Sequence, residues 1–118
     1  MPTSDSVPAQ WDVIVLPFPY ADRLAEKRRP AVIVSRPWLA EAHGVVWAVM
    51  ITSADNAGWK SDIPIADAAA ISLRNPSIIR PVKVATADVA RIIRIAGRLG
   101  ERERDALAGR LQEIVATL

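Results

Sequence analysis

Short apolar runs, each halted by a proline or a glycine, constrain this chain more than any other feature. Trp11–Leu16 reads as a first strand, ended by Pro17 and Pro19, which cannot donate to a sheet ladder. A charged loop over 21–27 leads into Pro30–Ser35, a β-branched run that reads as a buried second strand. Pro37–Ala42 allows one helical turn with Pro37 at a first-turn position, and Gly44 breaks it. Val45–Ile51 is the strongest strand signal in the chain, and Ala54–Gly58 must turn after it. Trp59–Ile65 alternates and carries Pro64, the mark of an edge, before a loop over 67–76. Ser77–Ala85 reads as a strand with Pro81 at an edge or bulge.

The last third adds a helix. Thr86–Asp88 suits the cap of a helical turn. Arg91–Leu99 fits either period and is taken as a strand. Glu101–Leu118 is a helix, with Leu107, Leu111, Ile114, Val115 and Leu118 as one apolar stripe. Gly100 serves as its N-cap, with Glu103 placed to bond back to it. Several short strands and one late helix imply a mostly β fold, a small antiparallel barrel or curled sheet with a helix packed on it. Residues 1–10 read as a loose tail and 11–118 as one domain.

Composition narrows the chemistry. The chain has 118 residues and no cysteine, which excludes disulfides and cysteine-ligated zinc. His43 is its one histidine, so a Ser/His/Asp triad could be built only through it. No run reaches the ~18 apolar residues of a membrane span and no signal pattern opens the chain, so a cytoplasmic protein is the expectation. The net charge of +2 is unevenly spread. Residues 70–98 hold Arg74, Arg80, Lys83, Arg91, Arg94 and Arg98 against Asp88 alone, six minus one, or +5. Such an excess suits a polyanion or is a solvated basic face.

Two points could carry chemistry. Pro30 fixes its own φ and pushes Arg29 towards an extended backbone at the mouth of the second strand. Arg29 then leaves the core as a held guanidinium, planar and always charged, which suits phosphate; it also reads as a salt-bridged strand end. Thr52 and Ser53 close the third strand, where hydroxyls either meet a ligand or cap a turn. If strands two and three pair antiparallel, Arg29 and the two hydroxyls meet at one sheet edge. A guanidinium beside hydroxyls can bind a phosphodiester and stabilise the charge that grows during cleavage. The nucleophile could be the RNA's own 2′-OH, with no metal and no cofactor.

Trp11-Asp12-Val13-Ile14-Val15-Leu16-Pro17-Phe18-Pro19-Tyr20-Ala21-Asp22, then Lys27–Ser35, then Ile51-Thr52-Ser53 resemble the MazF/PemK toxins of toxin–antitoxin systems. Pro76–Arg80, Ala85–Asp88 and Gly97–Gly100 follow in the order of that family. The resemblance implies an SH3-like barrel with a C-terminal helix, acting as a homodimer. It implies metal-independent, sequence-selective cleavage of single-stranded RNA to 2′,3′-cyclic phosphate and 5′-OH ends, and a cognate antitoxin. It maps the catalytic arginine to Arg29 and the catalytic threonine to Thr52. Ser53 would help hold the phosphate, Lys27 and Arg28 would lie over the RNA, and Arg80 would sit near the groove. Two residues depart from the family: Trp11 stands where a glycine often precedes the aspartate, and Ser72 where a glycine commonly precedes the Leu-x-x-Pro-Ser segment. A positive φ at that second position would strain Ser72.

No residue is assigned as the base. His43 is expected at the far end of strand three from Thr52, and Glu26 could pair with Lys27 or Arg23 as readily as act on a proton. Trp47 reads as structural, while Trp38 and Trp59 could stack bases or pack in a core or dimer contact. Asp12 reads as structural and Asp22 as holding the first loop. A non-catalytic protein-binding toxin of the same fold, like the one that poisons gyrase, is the alternative function, and a housekeeping barrel a third.

Overall fold

The computed structural model describes residues 8–18 and 27–115. Its strands are β1 (Asp12–Phe18), β2 (Lys27–Ile33), β3 (Val45–Ser53), β4 (Ile63–Pro64), β5 (Ser77–Asp88) and β6 (Arg94–Arg98). Its α-helices are α1 (Pro37–His43) and α2 (Glu101–Val115). The strands form one curled sheet in the order β4-β5-β3-β2-β1-β6, every pair antiparallel. This is the mostly β curled sheet with a late helix that the strand pattern implied, and the SH3-like barrel with a C-terminal helix that the resemblance implied. Among the described residues no helix is long and apolar enough to cross a membrane.

The two-residue period of the strands sorts the core into two faces. Val13, Val32, Val49, Ile51 and Ile79 point to one side, where they meet Leu99 and Leu107, the latter on α2. Ile14, Leu16, Ala31, Ile33, Val46 and Ala48 point to the other, with Val89, Ile92 and Ile95 packed against them. Arg29 continues the β2 series of Ala31 and Ile33, and Thr52 the β3 series of Ala48 and Met50. Both therefore belong to the second face, away from α2.

The structure departs from the sequence pattern at the breakers. Pro17 does not end β1; it stays in the strand opposite Arg28. Pro81 sits in a register shift: Val49 faces Val84 but Met50 faces Arg80, so 81–83 have no partner in β3 and the missing N–H costs nothing there. Of Thr86–Asp88, Asp88 stands at the N-cap of a helical turn, as expected, but makes no side-chain bond to it. Those residues extend β5 against Trp47, Val46 and Val45, and a 3₁₀ turn follows at Val89–Arg91. The expected strand over Trp59–Ile65 contracts to two residues, because the Asp62 carboxylate accepts the N–H groups of Gly58 (3.2 Å) and Trp59 (3.0 Å) and curls the segment. Residues 8–10, read as part of a tail, are tied to the body: Ala9 N–H donates to Asp12 Oδ2 at 2.8 Å and the Gln10 amide donates to the Val34 carbonyl at 2.9 Å.

Trp11 and Ser72, the two family departures, have φ of 76° and 61°, and they are the two non-glycine residues of positive φ among those described. Each adopts a backbone that a glycine would take without strain. Trp11 is held by N–H donation to the Ile33 carbonyl at 2.7 Å and by packing on the first core face. Ser72 is held by donation of its hydroxyl to the Ala96 carbonyl at 3.0 Å. The Glu103 carboxylate reaches beyond its own helix: its Oε2 accepts the Ala66 N–H at 2.9 Å, from a buried position that joins α2 to the loop after β4. The α2 stripe is buried at Leu107 but exposed at Ile114 and Val115. Leu118, like Asp22 and Glu26, lies outside the described residues.

Candidate active site

Arg29 and Thr52 are brought together by strand register. β2 and β3 pair as Ala31↔Met50, Val32↔Val49 and Ile33↔Ala48. The ladder stops there because Pro30 has no N–H to give. Carried on by two residues, the same register sets Arg29 opposite Thr52, on the same face of the sheet. β1 fixes the other flank, with Leu16 facing Arg29, Pro17 facing Arg28 and Phe18 facing Lys27. Lys27 and Arg28 are exposed at this open end of β2, while Arg29 is half-buried. Its Nε is shut off from solvent, and among the described residues it has no hydrogen-bond partner. A nitrogen closed to solvent is closed to a ligand as well, so Nε is a buried unsatisfied donor and not itself a phosphate contact.

A 3₁₀ turn at Ala54–Asn56 holds both hydroxyls at the end of β3. The Asn56 side-chain amide donates to Thr52 Oγ1 at 3.0 Å. The Asp55 backbone N–H donates to Ser53 Oγ at 3.1 Å. Each hydroxyl oxygen thus accepts from the turn behind it and keeps its own proton to donate elsewhere.

Arg80 lies on the neighbouring strand with its side chain buried. Its Nε and Nη2 fork onto the Asp62 carboxylate at 3.0 Å and 2.9 Å, and Nη2 also donates to the Asn56 carbonyl at 2.7 Å. The Arg80 hydrogen bonds pull the Asp62 carboxyl below its ordinary value, helped by the Trp59 N–H, the guanidinium's charge and the Gly58 N–H, against the cost of burial. Asp62 in turn raises Arg80. Trp59 covers this pair, with the Arg80 guanidinium carbon 4.1 Å and the Lys83 ammonium 5.6 Å from its ring centre. The indole is 49% exposed, so it is a surface plate over a cation and not a core residue.

The remaining candidates fall elsewhere. His43 ends α1, its ring edge-on to Trp38 at 6.3 Å. It precedes the start of β3, and Thr52 is about 25 Å further along at ordinary strand rise. Asp12 is buried, accepting from Arg98 at 3.1 Å and from Ala9, which suits a structural role. Trp47 is not in the core: it is 53% exposed and lines an apolar groove of about 320 Å³ with Val34, Ser35, Arg36, Trp38 and Leu39. Alternation placed Trp47 opposite the second core face, where it lies beside Trp38 and Leu39 of α1 and stays open to solvent. Asn56 and Asp62 are the site residues that sequence reasoning missed. Their signal was the spacing: an Asn four residues after Thr52, and an Asp three and four after the N–H groups it gathers.

Comparison with known proteins agrees with this architecture. The family model of the PemK-like, MazF-like toxins of type II toxin–antitoxin systems matches residues 9–115. MazF from Deinococcus radiodurans superposes with a TM-score of 0.74 at 19% identity, over 92% of this chain and 96% of its own. The same toxin in a MazE–MazF crystal gives 0.75 at 19% identity, over 95% and 98%. The Mycobacterium tuberculosis toxin MazF-mt6 gives 0.69 at 22% identity, over 86% and 93%. No curated protein matches the sequence. With the family model spanning almost the whole chain and the fold shared across these structures, the protein belongs to the PemK-like, MazF-like toxins of type II toxin–antitoxin systems.

Proposed function

We propose that the protein is an endoribonuclease toxin that cleaves single-stranded RNA by internal attack of a 2′-hydroxyl. The carrying observation is strand register: continued by two residues past Ala31↔Met50, it sets Arg29 opposite Thr52 on one face of the sheet. The 2′-oxygen forms a bond to phosphorus as the bond to the 5′-oxygen breaks. The 2′-proton passes to solvent and the 5′-oxygen gains one, giving a 2′,3′-cyclic phosphate and a 5′-hydroxyl. Arg29 stabilises the charge that builds on the phosphoryl oxygens. Thr52 and Ser53 donate to the same group, and Lys27 and Arg28 draw the backbone in. Arg80, committed to Asp62 and Asn56, would shape the groove wall from beneath and not grip phosphate directly. Trp59 offers its open face to a base.

The chain is proposed to act in the cytoplasm, as a homodimer restrained by a cognate antitoxin. Solved relatives include a mycobacterial endoribonuclease with its cognate antitoxin, at 14% identity and a TM-score of 0.68 over 91% of both chains. Exposed Trp38, Trp47, Val82, Val84, Ile114 and Val115 are the apolar surface such partners would cover.

The test is incubation of the purified protein with mixed single-stranded RNA in EDTA, with mapping of the ends. Cleavage should survive chelation, leave cyclic phosphates, and fall at least about 100-fold in Arg29→Ala and in Thr52→Ala. Metal dependence, or full activity in both variants, would overturn the reading. Growth arrest on expression with cellular RNA intact would favour the protein-binding toxin instead.

A further inference from the structure

We infer that Asn56 is a positioning residue that fixes Thr52 as a proton donor to the substrate, and that the Asp62–Arg80 pair holds Asn56 in place. The inference rests on the proposed role of Thr52 and specifies it. A threonine hydroxyl has one proton and can turn it to any acceptor within reach. At Thr52 that freedom is narrowed, because the Asn56 amide donates to Oγ1 at 3.0 Å. With one lone pair taken from behind, the hydroxyl is biased to direct its own proton away from the amide. Thr52 lies on the Arg29 face of the sheet, so that proton meets whatever anion Arg29 binds.

The amide can hold this orientation only if its backbone is fixed. Asn56 ends a three-residue turn, too short to be rigid alone. Arg80 supplies the anchor by donating to the Asn56 carbonyl at 2.7 Å from a buried side chain. Asp62 aims Arg80 through two bonds of 3.0 Å and 2.9 Å, and is itself seated by the N–H groups of Gly58 and Trp59. An unbroken path of hydrogen bonds therefore runs from the loop before β4 to the Thr52 oxygen. Strand register cannot bias a hydroxyl rotor; this path does.

The test compares Asn56→Ala and Asn56→Asp with the wild type on one RNA oligonucleotide, reading kcat and KM separately from about pH 4 to about pH 8. A carboxylate accepts and cannot donate, so Asn56→Asp should reverse the bond and turn the Thr52 proton inward. We expect kcat to fall about 10-fold in Asn56→Ala and about 100-fold in Asn56→Asp at neutral pH, with melting temperatures close to wild type. The ratio of Asn56→Asp activity to wild type should rise as pH falls through the ordinary carboxylate range near ~4. Simple repulsion of the RNA would appear in KM instead. If Asn56→Asp is no slower than Asn56→Ala, or its kcat ratio does not respond to pH, while Thr52→Ala is inactive, the positioning role fails and the nuclease reading stands. If Thr52→Ala keeps full activity, the nuclease reading fails first.

Discussion

Arg29 and Ser72 show how far a single side chain can be read. At Arg29 the sequence was informative because Pro30 restricts its backbone and an apolar run follows; what it could not show was the buried nitrogen without a partner. A planar fork and a point charge differ most where geometry matters. Arg29→Lys should therefore bind RNA within a few-fold of wild type yet lose about 100-fold in kcat, measured on an oligonucleotide with one cut site. Ser72 carries strain that its hydrogen bond to Ala96 offsets. Ser72→Ala keeps the strain and loses the bond, and should cost about 1 kcal/mol in urea unfolding. Ser72→Gly loses the same bond but relieves roughly 1–2 kcal/mol of left-handed backbone strain. It also gives the unfolded chain more freedom, so its net change should stay within about 0.5 kcal/mol. A result with glycine worse than alanine would mean that the φ at this position carries no strain.

The strands were legible wherever their pairing obeyed local rules, and the misreadings share one cause: a tertiary bond outweighed a local preference. Thr86–Asp88 resembles a helix cap, but only Asp88 stands at one, and β3 is long enough to pair with all three. Trp59–Asp62 alternates like a strand, but one carboxylate gathers two backbone N–H groups and bends it. That carboxylate also makes the β4 loop sensitive to acid. The folded form holds Asp62 below its ordinary value of 3.8, chiefly through Arg80, so the unfolded chain binds a proton more readily. The stabilisation is complete above that value and is lost as pH falls through the folded one. Thermal unfolding of the wild type should steepen its fall below about pH 4, whereas Asp62→Asn should melt lower at about pH 7 and respond less to acid in that window. A second element contact is equally exacting. A Cβ on Gly97 would stand 3.2 Å from the Ile71 Cα and 3.5 Å from the Ala70 carbonyl, both backbone atoms. Gly97→Ala should cost about 1 kcal/mol, since the Ile71 backbone must give by a few tenths of an ångström.

For the whole molecule, charge is where the sequence and the fold diverge most. The segment 70–98 counts to +5, but two of its six cations are taken by acids from outside it: Arg80 by Asp62, and Arg98 by Asp12 at 3.1 Å. The segment's free positive charge is therefore lower than its count, because chain order cannot reveal which acids lie across the sheet. The cations that flank the proposed site come instead from β2, where Lys27, Arg28 and Arg29 follow one another at an open strand end. Three phosphates neutralised on a single strand correspond to a slope of about −2 in log affinity against log salt. Binding of an uncleavable RNA, with the 2′-hydroxyl removed at the cut, should show that slope between about 50 and about 200 mM salt. Lys27→Ala and Arg28→Ala should each reduce it by about 0.7 without changing which sequence is preferred, because phosphate contacts position and do not specify. Lys83→Ala should act differently. Its ammonium stands beside the Trp59 ring, so losing it should leave the slope nearly intact and alter preference at one base. A slope near zero would place the RNA on the tryptophan-lined groove and away from the β2 cations.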